Sequence, residues 1–447
     1  MPGRLPLTFQ QEWLWGAACA NQNWQCAVAR AFRMPGALNI PLLQESLQHV
    51  IGRHGALRTH IVPLDGVVWQ EIRDSEEYIL ERTTIAAVGN VEVAAIAQRH
   101  FEDVCDRKMI LTVDPLCNAN LFRLSEHEHW LVLMMHRLIG DCASIDQMYR
   151  EMKSLYNERL QDRPSALQPP AQYGDYAMWQ HQTSAEWDMR HEPYWKRHLA
   201  DATPIQWPTD RDVTATPSGI LGKAQCSFGK ALSANLLDLA RAIRTLPAVP
   251  MMAIYAAVLW RWCQQDDFVL PLNTTGQPTK YKAAIGYFSY ALCLRVRISG
   301  DETFRDLVSR VGNEFFSSMS HQDFGRIARQ RPQLLSGTIF QWMTRRPEDA
   351  PDEVCVREFG EHLTIVPPGM TALEVTVFDT PAGLHAFGSY RADRFTAKTM
   401  ERFMAELRRA AEFFVHNPDA RIAEIAEVGG HVHGTAERQV PAVAAGA

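Results

Sequence analysis

Met135-His136-Arg137-Leu138-Ile139-Gly140-Asp141-Cys142 is the stretch on which the reading of this chain turns. The run before it, Trp130 to Met135, is apolar and suits a buried strand. It delivers a histidine and an arginine side by side, and Asp141 follows four residues after the arginine. Cys142-Ala143-Ser144 then opens a helical segment, with Ile145 to Leu160 as its body. An imidazole titrates near neutrality and can accept a proton, whereas a guanidinium has donors only and stays charged. The two neighbours are therefore not interchangeable in any proton transfer.

Outward from this stretch, helical and strand patterns alternate irregularly. Pro41 to His54 reads as an amphipathic helix with Leu42, Leu43, Leu47, Val50 and Ile51 on one face. Val62 to Ile72 reads as a hairpin, Val91 to Phe101 as a helix, and Ala119 to Met135 as two strands split by Ser125-Glu126-His127-Glu128. Gln161 to Tyr173, with Pro164, Pro169 and Pro170, reads as a connection between lobes, and Pro204 to Gly219 as a surface loop. Beyond them, helices are expected at Leu232–Arg244, Met251–Gln264, Thr303–Met319 and Phe395–Val415. Strands are expected at Phe268–Leu272, Ala291–Ile298 and Leu373–Phe378. Each half mixes both element types without a regular βαβ order, which predicts an α+β build in two lobes, 1–172 and 173–428. The Gly- and Ala-rich tail, 429–447, is expected to be disordered.

With 447 residues, the chain exceeds what one small core organises. Its nine cysteines are scattered, odd in number and without a CxxC pair or zinc spacing, which predicts reduced thiols rather than a disulfide framework. The net charge of −6 with dispersed basic residues argues against a nucleic-acid partner. No segment has the length and apolarity of a membrane span or a signal peptide, so a cytoplasmic protein without a membrane partner is expected. No metal site, nucleotide loop or redox motif is visible, and no bound cofactor is expected.

Further motifs accompany the opening stretch in order. Thr8, Gln11, Leu14 and Trp15 come first, then Arg53-His54-Gly55-Ala56-Leu57-Arg58-Thr59, and later Tyr173-Gly174-Asp175-Tyr176-Ala177-Met178-Trp179. Ile285-Gly286-Tyr287-Phe288 follows, with Cys293 and Arg295, and then His321-Gln322-Asp323-Phe324. From about residue 7 to 425 the chain resembles the condensation-domain family of nonribosomal peptide synthetases, within the chloramphenicol-acetyltransferase-like superfamily. The opening stretch matches that family's HHxxxDG motif, with Arg137 in place of the second, catalytic histidine and Cys142 in place of the glycine. Other departures are Trp13 for an arginine, Gly55 for an acidic residue, Ser289-Tyr290-Ala291 for a polar centre, and Gly325-Arg326-Ile327 after the last motif.

The resemblance implies two acetyltransferase-like lobes in a V with a tunnel between them. Peptidyl or acyl carrier proteins would present substrates on phosphopantetheine arms, or CoA would carry them. It implies His136, Arg137 and Asp141 as the catalytic positions, with Arg295, Cys142 and Arg58 as support and Asp141–Arg295 as a structural ion pair. Arg137 cannot be a general base. It either stabilises an oxyanion or holds a carboxylate, or it plugs the tunnel by pairing with an acidic group. His136 reads as a buried structural histidine before it reads as a substitute base. Cys142, at a helix start, reads as a small tunnel-narrowing residue before a nucleophile. Ser144, His54 and His321 read as capping or scaffold residues.

Two functions follow. One is an acyltransferase joining a carrier- or CoA-bound acyl thioester to an amine or alcohol. The other is a non-catalytic module like the X domains of glycopeptide synthetases, which share the HRxxxD pattern and dock cytochrome P450 enzymes. Those domains usually carry a second Asp where this chain has Cys142.

Overall fold

The computed structural model describes residues 4–20, 26–74, 77–86, 92–211, 220–322, 325–344, 353–356 and 371–425. Two mixed sheets, of five and six strands, carry helices on their faces, and a small three-stranded sheet sits beside the first. The α+β, two-lobed build expected from the element order is what the chain adopts.

In the five-stranded sheet, Glu128–His136 is the central strand, antiparallel to Ala27–Pro35 on one side and Cys117–Arg123 on the other. Its continuous apolar run has a physical reason: both faces are covered. Leu131, Leu133 and Met135 pack into one cluster, while Trp130, Val132 and Met134 pack into a second that includes Phe101 and Val104 from helix Val93–Cys105. Helix Ile40–Arg53 buries Leu43, Leu47, Val50 and Ile51, with the Asn39 side chain accepting from the Leu42 N–H at its start. The hairpin Thr59–Leu64 and Val67–Ile72 turns through Asp65 and Gly66, both in the left-handed region that such a turn requires.

The six-stranded sheet runs Ser289–Arg297, Asp267–Thr275, Thr338–Thr344, Leu373–Thr380, Gly383–Arg391, Leu221–Phe228. Helix Ala248–Cys263 lies in the core of this lobe and is buried almost throughout, which explains its apolarity. No single helix among the described residues is long and apolar enough to cross a membrane. This helix and the preceding Gly229–Ile243, bent by 106°, pass that test only as a pair.

Along Leu373–Thr380, Leu373, Val375 and Val377 join the helix-covered core. Glu374 and Thr376, alternating with them, are buried on the opposite face of the sheet.

The lobes interlock. Strand Glu353–Val356, from the second half of the chain, pairs antiparallel with Ala27–Pro35 in the first sheet. Tyr281, Ala284, Ile285, Tyr287 and Phe288 pack in the first lobe's core with Tyr173 and Tyr176. A single cut at residue 172 therefore does not separate the two sheets. The expected tail, 429–447, and residues 212–219 of the expected loop lie outside the described residues.

Candidate active site at the junction of the lobes

Strand Glu128–His136 leads directly into a tightly tied loop. The His136 N–H donates to the Leu116 carbonyl at 2.7 Å and the Arg137 N–H to the Cys26 carbonyl at 2.7 Å. Gln11 donates its side-chain amide to the Leu138 carbonyl at 2.7 Å, which gives the N-terminal motif its structural purpose. Gly140 is required by space: a Cβ there would lie 2.3 Å from Met135 Sδ.

Asp141 is the N-cap of helix Cys142–Leu160, the role that its position just before a helical pattern favours. Its Oδ1 accepts from the Ser144 N–H at 3.1 Å and lies 3.0 Å from Ser144 Oγ, while Oδ2 accepts from the Phe288 N–H at 3.4 Å. Ser144 Oγ also lies 3.0 Å from the Gly286 carbonyl and accepts from the Gly286 N–H at 3.1 Å. The Tyr173 hydroxyl donates to the Tyr287 carbonyl at 2.6 Å, and a Cβ at Gly286 would collide with the Tyr173 ring at 2.0 Å. Motifs far apart in sequence thus meet at one junction, with Ser144 as a clamp between lobes.

One expected contact is absent. Asp141 does not pair with Arg295. Arg295 instead forms a bidentate pair with Asp267 of the neighbouring strand, at 2.8 Å for each arm, and donates to the His198 and Ala200 carbonyls. The reason is proximity and prior satisfaction: an adjacent strand offers Arg295 a carboxylate, and backbone N–H groups already engage both Asp141 oxygens. Arg295 braces the second lobe's edge strand rather than the junction.

Arg58 donates from Nε to the Ile51 carbonyl at 3.2 Å and from its terminal nitrogens to the Gly52 and Arg73 carbonyls, tying off a helix end. His54 Nε2 lies 3.0 Å from Glu151 Oε2, and His321 stacks on Tyr194 with ring centres 4.0 Å apart; both are scaffold. Cys142 is half-buried at the first helical position. No hydrogen bond joins it to His136, whose Nδ1 accepts from the Leu138 N–H at 3.2 Å.

His136, Arg137 and Asp141 are all buried. Burial, reinforced by the adjacent Arg137 charge, holds the His136 imidazole down at about 3, so it is neutral. Burial raises the Asp141 carboxyl, with the Ser144 bonds and the Arg137 charge working against it. The Cys26 thiol is pushed up to about 12 by burial, against the pull of Arg137.

A residue that sequence reasoning did not single out completes this group. Glu374, 3% exposed, has two buried carboxylate oxygens with no hydrogen-bond partner among the described residues. Burial pushes it up to about 8, and Arg137, within electrostatic range from the other lobe, pulls the other way. The only local signal was an acidic residue inside an apolar strand, which by alternation reads as solvent-facing. Among the described residues no cluster of three or more His, Cys, Asp or Glu side chains could hold a metal ion. What the junction offers is a buried guanidinium and a carboxyl with open acceptor capacity.

Residues 1–429 match the Condensation domain family. Chondramide synthase cmdD of Chondromyces crocatus is 28% identical over 447 residues, covering 94% of this chain and 11% of the synthase. The dimodular nonribosomal peptide synthase of Bacillus subtilis is 26% identical, covering 95% of this chain and 19% of that protein. The chain thus spans a small part of the length of these relatives. Among solved structures, SgcC5 from Streptomyces globisporus superposes with a TM-score of 0.78 at 24% identity, over 93% of this chain and 100% of that one. The X-domain in its complex with OxyB from teicoplanin biosynthesis gives 0.78 at 23%, over 95% and 96%. At these identities the superpositions establish the shared fold.

Proposed function

The chain belongs to the condensation-domain family of nonribosomal peptide biosynthesis, and on that premise we propose that it is an acyltransferase. It joins a carrier- or CoA-bound acyl thioester to an amine or alcohol. One observation carries this reading: two lobes bring a guanidinium, Arg137, and a hydrogen-bond-orphaned carboxyl, Glu374, to one buried junction. A buried ionisable group without partners lowers stability, and such groups concentrate where chemistry needs them. Arg137 presents donors to the oxygen of the thioester carbonyl as it gains charge, a task for which a permanent cation suits better than histidine.

Carrier proteins and CoA enter as donors of the thioester. The test is acyl transfer from a series of acyl-CoA thioesters and acyl-loaded carrier proteins to amine and alcohol acceptors, read by mass spectrometry of the product. Turnover above background is expected, and Arg137→Ala should change the rate by about tenfold or more.

A second reading has its own observation. His136 and Arg137 are 2% and 3% exposed, as a plugged junction requires. Under it the chain is a docking module like the X-domain solved with OxyB, with a cytochrome P450 as partner. Absence of turnover with every donor, together with saturable binding of such an oxidase, would select it.

A further inference from the structure

We propose that Glu374 is the proton acceptor of the acyl transfer, doing from the second lobe what the motif's missing histidine would do from the first; this rests on the acyltransferase reading above. Among the described residues, the Arg137 charge acts on His136, Asp141, Cys26, Tyr287 and Glu374, the titratable groups within its electrostatic range. The His136 Nδ1 already accepts from a backbone N–H, and its imidazole is too weak a base to hold a proton near neutrality. Both Asp141 oxygens are engaged in the helix cap and the Phe288 clamp. Cys26 and Tyr287 are protonated, their pKa values raised by burial. Glu374 alone of the five has oxygens with open acceptor capacity, and it sits on the sheet face turned away from its own lobe's core.

The groups within electrostatic range of Glu374 come from four elements, Tyr255 from the core side of the sheet and the others from the lobe junction. Arg137 comes from the loop after Glu128–His136, Cys26 precedes Ala27–Pro35, Tyr255 comes from helix Ala248–Cys263, and Tyr287 precedes Ser289–Arg297. Only Arg137 among them is a cation, so the carboxyl's affinity for a proton is set by burial against one charge. That is the tuning a general base needs to work near neutrality.

The step balances without a further reactant. The acceptor's nitrogen or oxygen attacks the thioester carbonyl carbon while its proton passes to the Glu374 carboxylate. The oxyanion so formed lies against Arg137. As the carbon–sulfur bond breaks, the proton on Glu374 passes to the leaving thiolate, giving an amide or ester, a free thiol and a regenerated carboxylate.

The test follows the intact chain with acyl-CoA donors and an alkylamine, comparing wild type, Glu374→Gln and Glu374→Asp. Folding of each is checked by thermal melting. Expected is a fall of about 10²–10³-fold in kcat for Glu374→Gln with little change in KM, and partial retention in Glu374→Asp. Wild type should show a rate that rises through about pH 8, a limb absent from Glu374→Gln. The acceptor's own ionisation is common to all three proteins, so the limb reports the carboxyl. Turnover in Glu374→Gln equal to wild type, with the limb intact, overturns the assignment and leaves the acyltransferase standing. No turnover in wild type with any donor removes both.

Discussion

Two buried glutamates sit in opposite lobes and titrate in opposite directions. Glu151, 4% exposed, takes Arg53 Nε at 2.9 Å, His54 Nε2 at 3.0 Å and the Gln147 amide at 2.8 Å. Burial alone would raise it, but these partners win and hold its carboxyl at about 2. Glu374, as little exposed but more deeply packed, has no hydrogen-bond partner for either oxygen among the described residues and is pushed up to about 8. Equally low exposure hides two differences, deeper packing around Glu374 and fuller partnering of Glu151, and together they separate a carboxylate that fastens a scaffold from a carboxyl left able to react.

The largest effect should come from breaking the satisfied site. Glu151→Ala leaves Arg53 and His54 without their carboxylate and should lower unfolding free energy by about 3–5 kcal/mol at pH 7, measured by denaturant titration. Loss of less than about 1 kcal/mol would mean that the network does not hold the helices Ile40–Arg53 and Cys142–Leu160 together.

The next effect has a pH signature with opposite signs for the two residues. A carboxyl raised in the folded state contributes stability that is full below its ordinary value and is lost as pH rises through about 8. Wild type should therefore lose roughly 3 kcal/mol relative to Glu374→Gln between about pH 5 and pH 8.5. Glu151, held low, contributes stability present above the ordinary carboxylate value and lost as pH falls toward about 2. Parallel stability profiles for wild type and Glu374→Gln between about pH 5 and pH 8 would contradict the contrast between the two glutamates.

Asp141→Ala, which removes a helix cap and the tie to Phe288, should cost about 1–2 kcal/mol. Smallest is the corrected ion pair. A double-mutant cycle on Asp267 and Arg295 should give a coupling of about 0.5–1 kcal/mol, because Asp267 is 38% exposed and screened. The same cycle on Asp141 and Arg295 should give none.

Much of the scaffold was legible because it is local. The expected strand to Met135 forms as Glu128–His136 and ends one residue later. The expected helix Ile145–Leu160 forms as Cys142–Leu160, capped by the residue that precedes it. The helix expected at Met251–Gln264 forms as Ala248–Cys263. For Glu353–Val356, by contrast, local sequence does not specify the partner, since the edge that accepts it belongs to a strand in the other lobe.

The sequence by itself determined the strand–loop–helix carrying His136, Arg137 and Asp141, and it excluded Arg137 as a base. Those conclusions rest on a continuous apolar run, helical periodicity and the chemistry of a guanidinium, all properties of neighbouring residues. Only the tertiary structure decided which charges meet. Asp267 claims Arg295 because their strands are adjacent, and Ser144 joins the lobes through Gly286. Glu374 faces Arg137 from more than two hundred residues away. Coulomb attraction and desolvation depend on distance and burial in space, which local pattern does not specify.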